Sequence, residues 1–200
     1  MPTITFEKRY QIWKMAASLD DGRPVLSHVL VEPQGVMVAS NGNALAVVPC
    51  EITWFPDEER RNLVIPASLF QLAAKATTKK DQEACLSVTK EGASVTLRDY
   101  RAVGSLWTDT DFPNWRKQFP YTVQAVLEHQ SIGSKLVSDM SLALGTTCLT
   151  YIFTGLEKPI LVLPLDSHGV GCIMPMRYTG DYEPRNVLER RLSQWVEAKP

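Results

Sequence analysis

One order of elements recurs three times along the chain: a short apolar strand, a segment with a single apolar helical stripe, and three strands. This repeat constrains the fold more than any other feature. A helix with one apolar face must bury that face, and the strands of its own unit are the nearest surface on which to do so. In the first unit a strand is predicted at 3–6 and a helix at 7–19, where Ile12, Met15, Ala16 and Leu19 fall at i, i+3, i+4 and i+7. Strands follow at 24–31, 35–40 and 44–49, separated by Pro33-Gln34-Gly35 and by Asn41-Gly42-Asn43, a strong hairpin signal.

A charged stretch, 51–62, is expected to be a loop. The second unit then has a strand at 63–66, a helix at 67–77 with Leu69, Leu72, Ala73 and Ala76 on one side, and strands at 84–89, 94–99 and 101–108. The third has a strand at 121–127, a helix at 131–144 and strands at 148–154, 159–164 and 169–176. A Pro- and aromatic-containing connector, 111–120, precedes it. The tail, 184–198, predicts a further amphipathic helix with Val187, Leu188, Leu192, Trp195 and Val196 on its apolar side. The fold class expected is α+β: antiparallel sheets carrying helices on one face, plus a C-terminal helix. The divisions are 1–110 for two units forming one domain, 111–120 for the connector, 121–180 for a third half-unit and 181–200 for the tail.

Net charge is −1, so the chain is no polycation, and any nucleic-acid contact must use local basic faces. No apolar run approaches the ~20 residues of a membrane helix, and residues 1–14 lack a signal peptide's apolar stretch, so a cytoplasmic protein with no membrane partner is expected. Cys50, Cys85, Cys148 and Cys172 are widely spaced within apolar segments and read as reduced core residues. His28, His129 and His168 show no metal-ligand spacing. There is no phosphate-binding glycine loop and no HExxH. Asp166, Ser167 and His168 are adjacent in a turn, whereas a triad needs convergence in space. The expectation is a non-enzyme with no cofactor and no metal.

Four segments give the pattern a family likeness. Val36 to Ala46, VMVASNGNALA, resembles apolar-x-apolar-A-T-D-G-H-R-L-A; Val64-Ile65-Pro66-Ala67 resembles the strand opening a second half-domain; Phe112 to Pro120, FPNWRKQFP, resembles F-P-D-Y-x-x-x-x-P; and Ile173 to Arg177, IMPMR, resembles a C-terminal V-M-P-M-R. In this order and at these separations the chain resembles the bacterial DNA polymerase III β sliding clamp, shortened to about one and a half domains. It departs from the pattern at Asn41, Asn43, Ala44 and Gln118, and the connector leads almost directly into the last half-unit.

The resemblance implies a DNA-clamp architecture of three β-α-β-β-β half-units and a processivity role in DNA replication or repair. It implies two kinds of contact. Double-stranded DNA would be held without base readout by cations on the helices: Lys8, Arg9, Lys14, Lys75, Lys79, Lys80 and Lys135. Polymerases or other proteins carrying clamp-binding motifs would insert them into an apolar cleft. That cleft would be built from Ser40, Gly42, Asn43 and Leu45, from Pro113, Lys117 and Gln118, and from Met174, Pro175 and Met176. A half-unit with bare strand edges also implies a homo-oligomer, as a two-fold dimer or a larger ring, with packing of the third unit on the first two as the other solution. The alternative function is a peptide-binding decoy or regulator of clamp partners that does not encircle DNA.

Overall fold

The computed structural model describes residues 2–17, 22–56, 59–78, 80–89, 92–96, 101–106, 112–119, 132–155 and 158–176. The predicted strand at 121–127, the tail helix at 184–198 and Lys79 lie outside the described residues.

Among the described residues, twelve strands form two antiparallel sheets. In chain order they are β1 (Thr3–Glu7), β2 (His28–Glu32), β3 (Val36–Ser40), β4 (Ala44–Pro49), β5 (Glu51–Thr53), β6 (Leu63–Pro66), β7 (Glu83–Val88), β8 (Ala93–Thr96), β9 (Arg101–Gly104), β10 (Leu149–Ile152), β11 (Ile160–Pro164) and β12 (Val170–Ile173). Two α-helices accompany them, α1 (Ala67–Ala76) and α2 (Ser134–Ala143). One sheet runs β5-β1-β7-β8-β9 and the other β10-β11-β12-β4-β3-β2-β6.

The opening strands are exchanged between the first two units. β1 pairs with β7 of the second unit, Ile4 opposite Leu86, while β6 pairs with β2 of the first, Ile65 opposite Val29. Neither sheet is complete without a strand from the other unit, so the two units are interlocked. The third unit finds its sheet partner inside the chain: β12 lies antiparallel to β4, with Cys172 opposite Leu45 and Ile173 opposite Ala44. Packing of the third unit on the first two is thus the arrangement present.

A single large core fills the space between the sheets. Ile4, Phe6 and Leu86 enter it from the five-stranded sheet, Val29, Met37, Ala46 and Ile65 from the seven-stranded one, and Leu69, Phe70, Met140 and Leu144 from the helical layer. Phe6 and Phe70 meet with ring centroids 5.4 Å apart, tying β1 to α1. Side chains alternate between the two faces of the larger sheet, and β2, β3 and β4 are buried on both, so Leu30, Val38, Leu45, Val47, Val64 and Cys172 form a second cluster on its outer face.

The second unit follows the predicted order closely, as do the helix and the three later strands of the third. The first departs from it. In place of an α-helix over 7–19, the described residues carry one 3₁₀ turn, Ile12–Met15. Backbone donors that a helix would need are taken by distant partners, the Gln11 N–H by Leu142 O and the Ala17 N–H by Leu26 O, while the Lys8 N–H at its start is drawn to Gln82 O. The predicted apolar stripe still points inward, with Ile12 and Met15 buried. β2 starts at His28 rather than at 24, because Pro24–Ser27 forms a 3₁₀ turn closed by Ser27 Oγ donating to Pro24 O at 2.7 Å. Within the charged stretch expected to be a loop, Glu51–Thr53 is a strand on β1, with Ile52 opposite Ile4. The cysteines are free, but only Cys172 is fully buried; Cys85 and Cys148 are exposed, which corrects their reading as core residues. Burial pushes the Cys50 and Cys172 thiols up to about 12. No helix among the described residues is long and apolar enough to cross a membrane.

Candidate functional site

The β3–β4 turn and the end of β12 bring Asn43, Leu45 and Met174 of the expected cleft together at one rim of the seven-stranded sheet. The β3–β4 turn is fixed by its own side chains. Asn41 Oδ1 accepts from the N–H groups of Asn43 (3.0 Å) and Ala44 (2.9 Å), while Ser40 Oγ accepts from Gly42 N–H (3.1 Å) and donates to Ala44 O (2.9 Å). Gly42 sits at φ +86°, where a side chain would be strained, and a Cβ there would stand 3.3 Å from the Arg23 guanidinium and 3.8 Å from Leu26. Arg23 and Leu26 therefore flank this turn, though the sequence reading did not single them out. Ser40 is a brace within the turn, with its hydroxyl already engaged.

β12 brings the far wall alongside. The Met174 N–H donates to Asn43 O at 2.8 Å, extending the β4–β12 ladder to the rim. Leu45 is buried in the outer cluster beneath. Met174 is 36% exposed and Met176 54%, unusual for methionine flanking a core strand. Met176 stands off toward α2: its Sδ is 3.9 Å from the Cβ position of Gly133. Pro175 is half-buried between them.

The connector lies over the same outer cluster. Phe112, Trp115 and Phe119 pack on it, and the last two rings meet edge-on at 5.9 Å. Pro113, Lys117 and Gln118 are exposed, as expected of residues offered to a ligand, although none has a described contact with the β3–β4 turn. Glu32, at the end of β2 and 5% exposed, anchors the connector. Both its oxygens accept from Arg116, at 2.8 and 2.5 Å, and Oε1 also accepts from the Trp115 indole N–H at 3.0 Å. The Arg116 guanidinium lies 4.1 Å from the Trp115 ring centroid. The hydrogen bonds from Arg116 hold the Glu32 carboxyl below its ordinary range, against the opposing effect of burial.

Of the described candidate DNA cations, Lys75 lies on α1, Lys135 on α2 and Lys14 in the 3₁₀ turn against which both helices pack, whereas Lys8, Arg9 and Lys80 lie in turns. They are unequal. Lys8 Nζ donates to Thr78 O at 2.8 Å; Arg9 is ion-paired to Glu7 at 2.7 Å and lies over the Tyr10 ring; and Lys135 pairs with Asp139 at 2.6 Å. Lys14, Lys75 and Lys80 are exposed, with no ion-pair partner among the described residues. The Asp166-Ser167-His168 turn serves the fold: Ser167 Oγ donates to Leu144 O at 2.7 Å, at the end of α2, and Asp166 accepts from Thr146.

No protein-family model matches the chain, and no curated protein does. Among solved structures it is similar to the DNA polymerase sliding clamp from Bacillus subtilis, with a TM-score of 0.64 and 14% identity over 88% of this chain and 64% of that one. It is similar to the Pseudomonas aeruginosa DNA polymerase III subunit beta bound to griselimycin, with a TM-score of 0.62 and 14% identity over 88% of this chain and 65% of that one. It is also similar to the Thermotoga maritima DNA polymerase III beta subunit, with a TM-score of 0.62 and 14% identity over 90% and 66% of the two chains. The chain spans slightly less than two thirds of each of these three. At such identities the likeness is one of architecture, and the architecture is that of the sliding clamp.

Proposed function

We propose that the protein is a clamp-like accessory of DNA replication or repair that performs no chemistry of its own, acts in the cytoplasm, and binds clamp-binding peptide motifs of polymerases in the groove at the β4–β12 seam. One observation carries this reading: the Met174 N–H to Asn43 O bond, which sets two flexible, exposed methionines beside a braced turn over buried Leu45. Short linear motifs bind in such places, where a few apolar anchors sit in a preformed groove. On this reading residues 1–110 are one complete clamp-type domain and 121–180 half of the next. The outer edges of β5, β9 and β10 have no strand partner among the described residues, which favours assembly with further copies. Lys14, Lys75 and Lys80 would then supply the phosphate contacts.

The test is fluorescence anisotropy with a labelled clamp-binding peptide and with duplex DNA, alongside light scattering. The reading expects peptide binding that weakens at least tenfold in Met174→Ala, salt-sensitive DNA binding, and a mass above that of one chain. A monomer that binds neither probe would defeat it.

A specific observation favours a second reading, a decoy that binds the same motifs without encircling DNA. Lys8, Arg9 and Lys135, three of the seven candidate cations, are engaged within the protein, and net charge is −1. Peptide binding without DNA binding would select it.

A further inference from the structure

The clasp at Glu32 has a role that neither the fold nor the groove residues explain. A carboxylate 5% exposed, at the end of a strand, is costly to bury unless its partners are fixed. Here those partners come from one short stretch, 83 and 84 residues further along the chain. Arg116 supplies a two-pronged contact and Trp115 a third hydrogen bond. The other connector contacts, through Phe112, Trp115 and Phe119, are apolar packing, which resists removal from the sheet but sets position weakly. Directional bonds at Glu32 set the connector's register on the sheet.

The geometry matters because Glu32 is remote from the groove. Glu32 pairs with Val36 at one end of β3, while Ser40 at the other end pairs with Leu45. Four residues of strand separate the two points, roughly 13 Å. The connector bears Lys117 and Gln118 immediately after the clasp, within the same 3₁₀ turn, Trp115–Gln118. A shift of the clasp therefore moves those exposed side chains as a rigid piece.

We propose that Glu32 is a positioning residue: through Arg116 and Trp115 it fixes the connector on the outer face and thereby presents Lys117 and Gln118 as one wall of the peptide groove. The groove part of this inference rests on the function proposed above; the connector part does not.

Glu32→Gln keeps the shape of the side chain and removes its charge, and Glu32→Asp keeps the charge with a shorter reach. Amide hydrogen exchange over 112–119 is expected to quicken about tenfold or more in Glu32→Gln and by less in Glu32→Asp, while exchange in β7 and β8 stays unchanged. The Trp115 indole N–H resonance, assigned by its loss in Trp115→Phe, is expected to move upfield in Glu32→Gln and to return part-way in Glu32→Asp. Affinity for the labelled clamp-binding peptide should fall about tenfold in Glu32→Gln. Unchanged exchange over 112–119, or an unmoved indole resonance, overturns the inference. Faster exchange with unaltered peptide affinity overturns its groove part. If wild type binds no peptide, the groove reading fails by itself, and the exchange and resonance data still decide the clasp.

Discussion

The two faces of the seven-stranded sheet are covered by different physics. On the inner face α2 lays Met140, Ala143 and Leu144 against β4 and β12, all apolar and all fully buried. The fit is close: a Cβ on Gly171 would collide with Met140 Sδ. On the outer face an eight-residue stretch of connector is held by three half-buried aromatic rings and one buried carboxylate with charged and indole donors. Apolar burial scales with area and lacks direction, whereas hydrogen bonds to a buried charge are directional and fail steeply when a partner is lost. The inner face should therefore govern whether the protein folds, and the outer face where the connector sits.

The largest effect should follow Met140→Ala. It leaves a cavity over Gly171 and is expected to cost about 2–5 kcal/mol in urea unfolding, across the whole molecule. A smaller global effect with loss confined to the third unit would mean that the seven-stranded sheet does not unfold as one unit.

Next comes Arg116→Ala, which leaves the Glu32 carboxylate with the Trp115 indole as its connector donor among the described residues. It should cost about 1–3 kcal/mol. Glu32→Gln should cost less, about 1 kcal/mol, because Arg116 is half-exposed and can turn to water. This order is the sharpest check on the contrast between the faces. Equal costs would mean that the carboxylate is better solvated than its burial implies.

The smallest effect is one of pH. Glu32 titrates below its ordinary value near 4.5, so its contribution is fully present above that value and is lost as pH falls through the lower folded value. The stability gap between wild type and Glu32→Gln should stay constant from neutral pH to about 4.5 and close below it. His28 acts in the same direction. Burial lowers its pKa from the ordinary 6.5, so the unfolded chain gains the proton first and stability declines as pH drops below that value.

Much of the fold was legible in the sequence because its strands carry strong local signals. Asn41-Gly42 marks a turn braced by its own Asn41 side chain, and the second unit pairs a regular strand with a helix whose inner side is made by Leu69, Phe70 and Ala73. The first unit's helix was misread because its apolar spacing is right while its backbone donors are claimed by Gln82, Leu142 and Leu26, partners no local pattern announces. β5 was hidden for a similar reason: a charged run masks Ile52, the one residue that matters to its pairing with Ile4. In the candidate site, Asn43, Leu45 and Met174 were legible through their motif likeness. Glu32 was not. It precedes Pro33 in what reads as a turn, and the arginine that gives it meaning lies 84 residues away.

The most direct measurement is a crystal structure of the protein with a clamp-binding peptide. Peptide side chains should seat against Met174 and Asn43 above Leu45, with Lys117 or Gln118 at the edge and the Glu32–Arg116 clasp intact. A peptide bound away from the β4–β12 seam, or a seam that opens to leave β12 unpaired, would contradict this prediction.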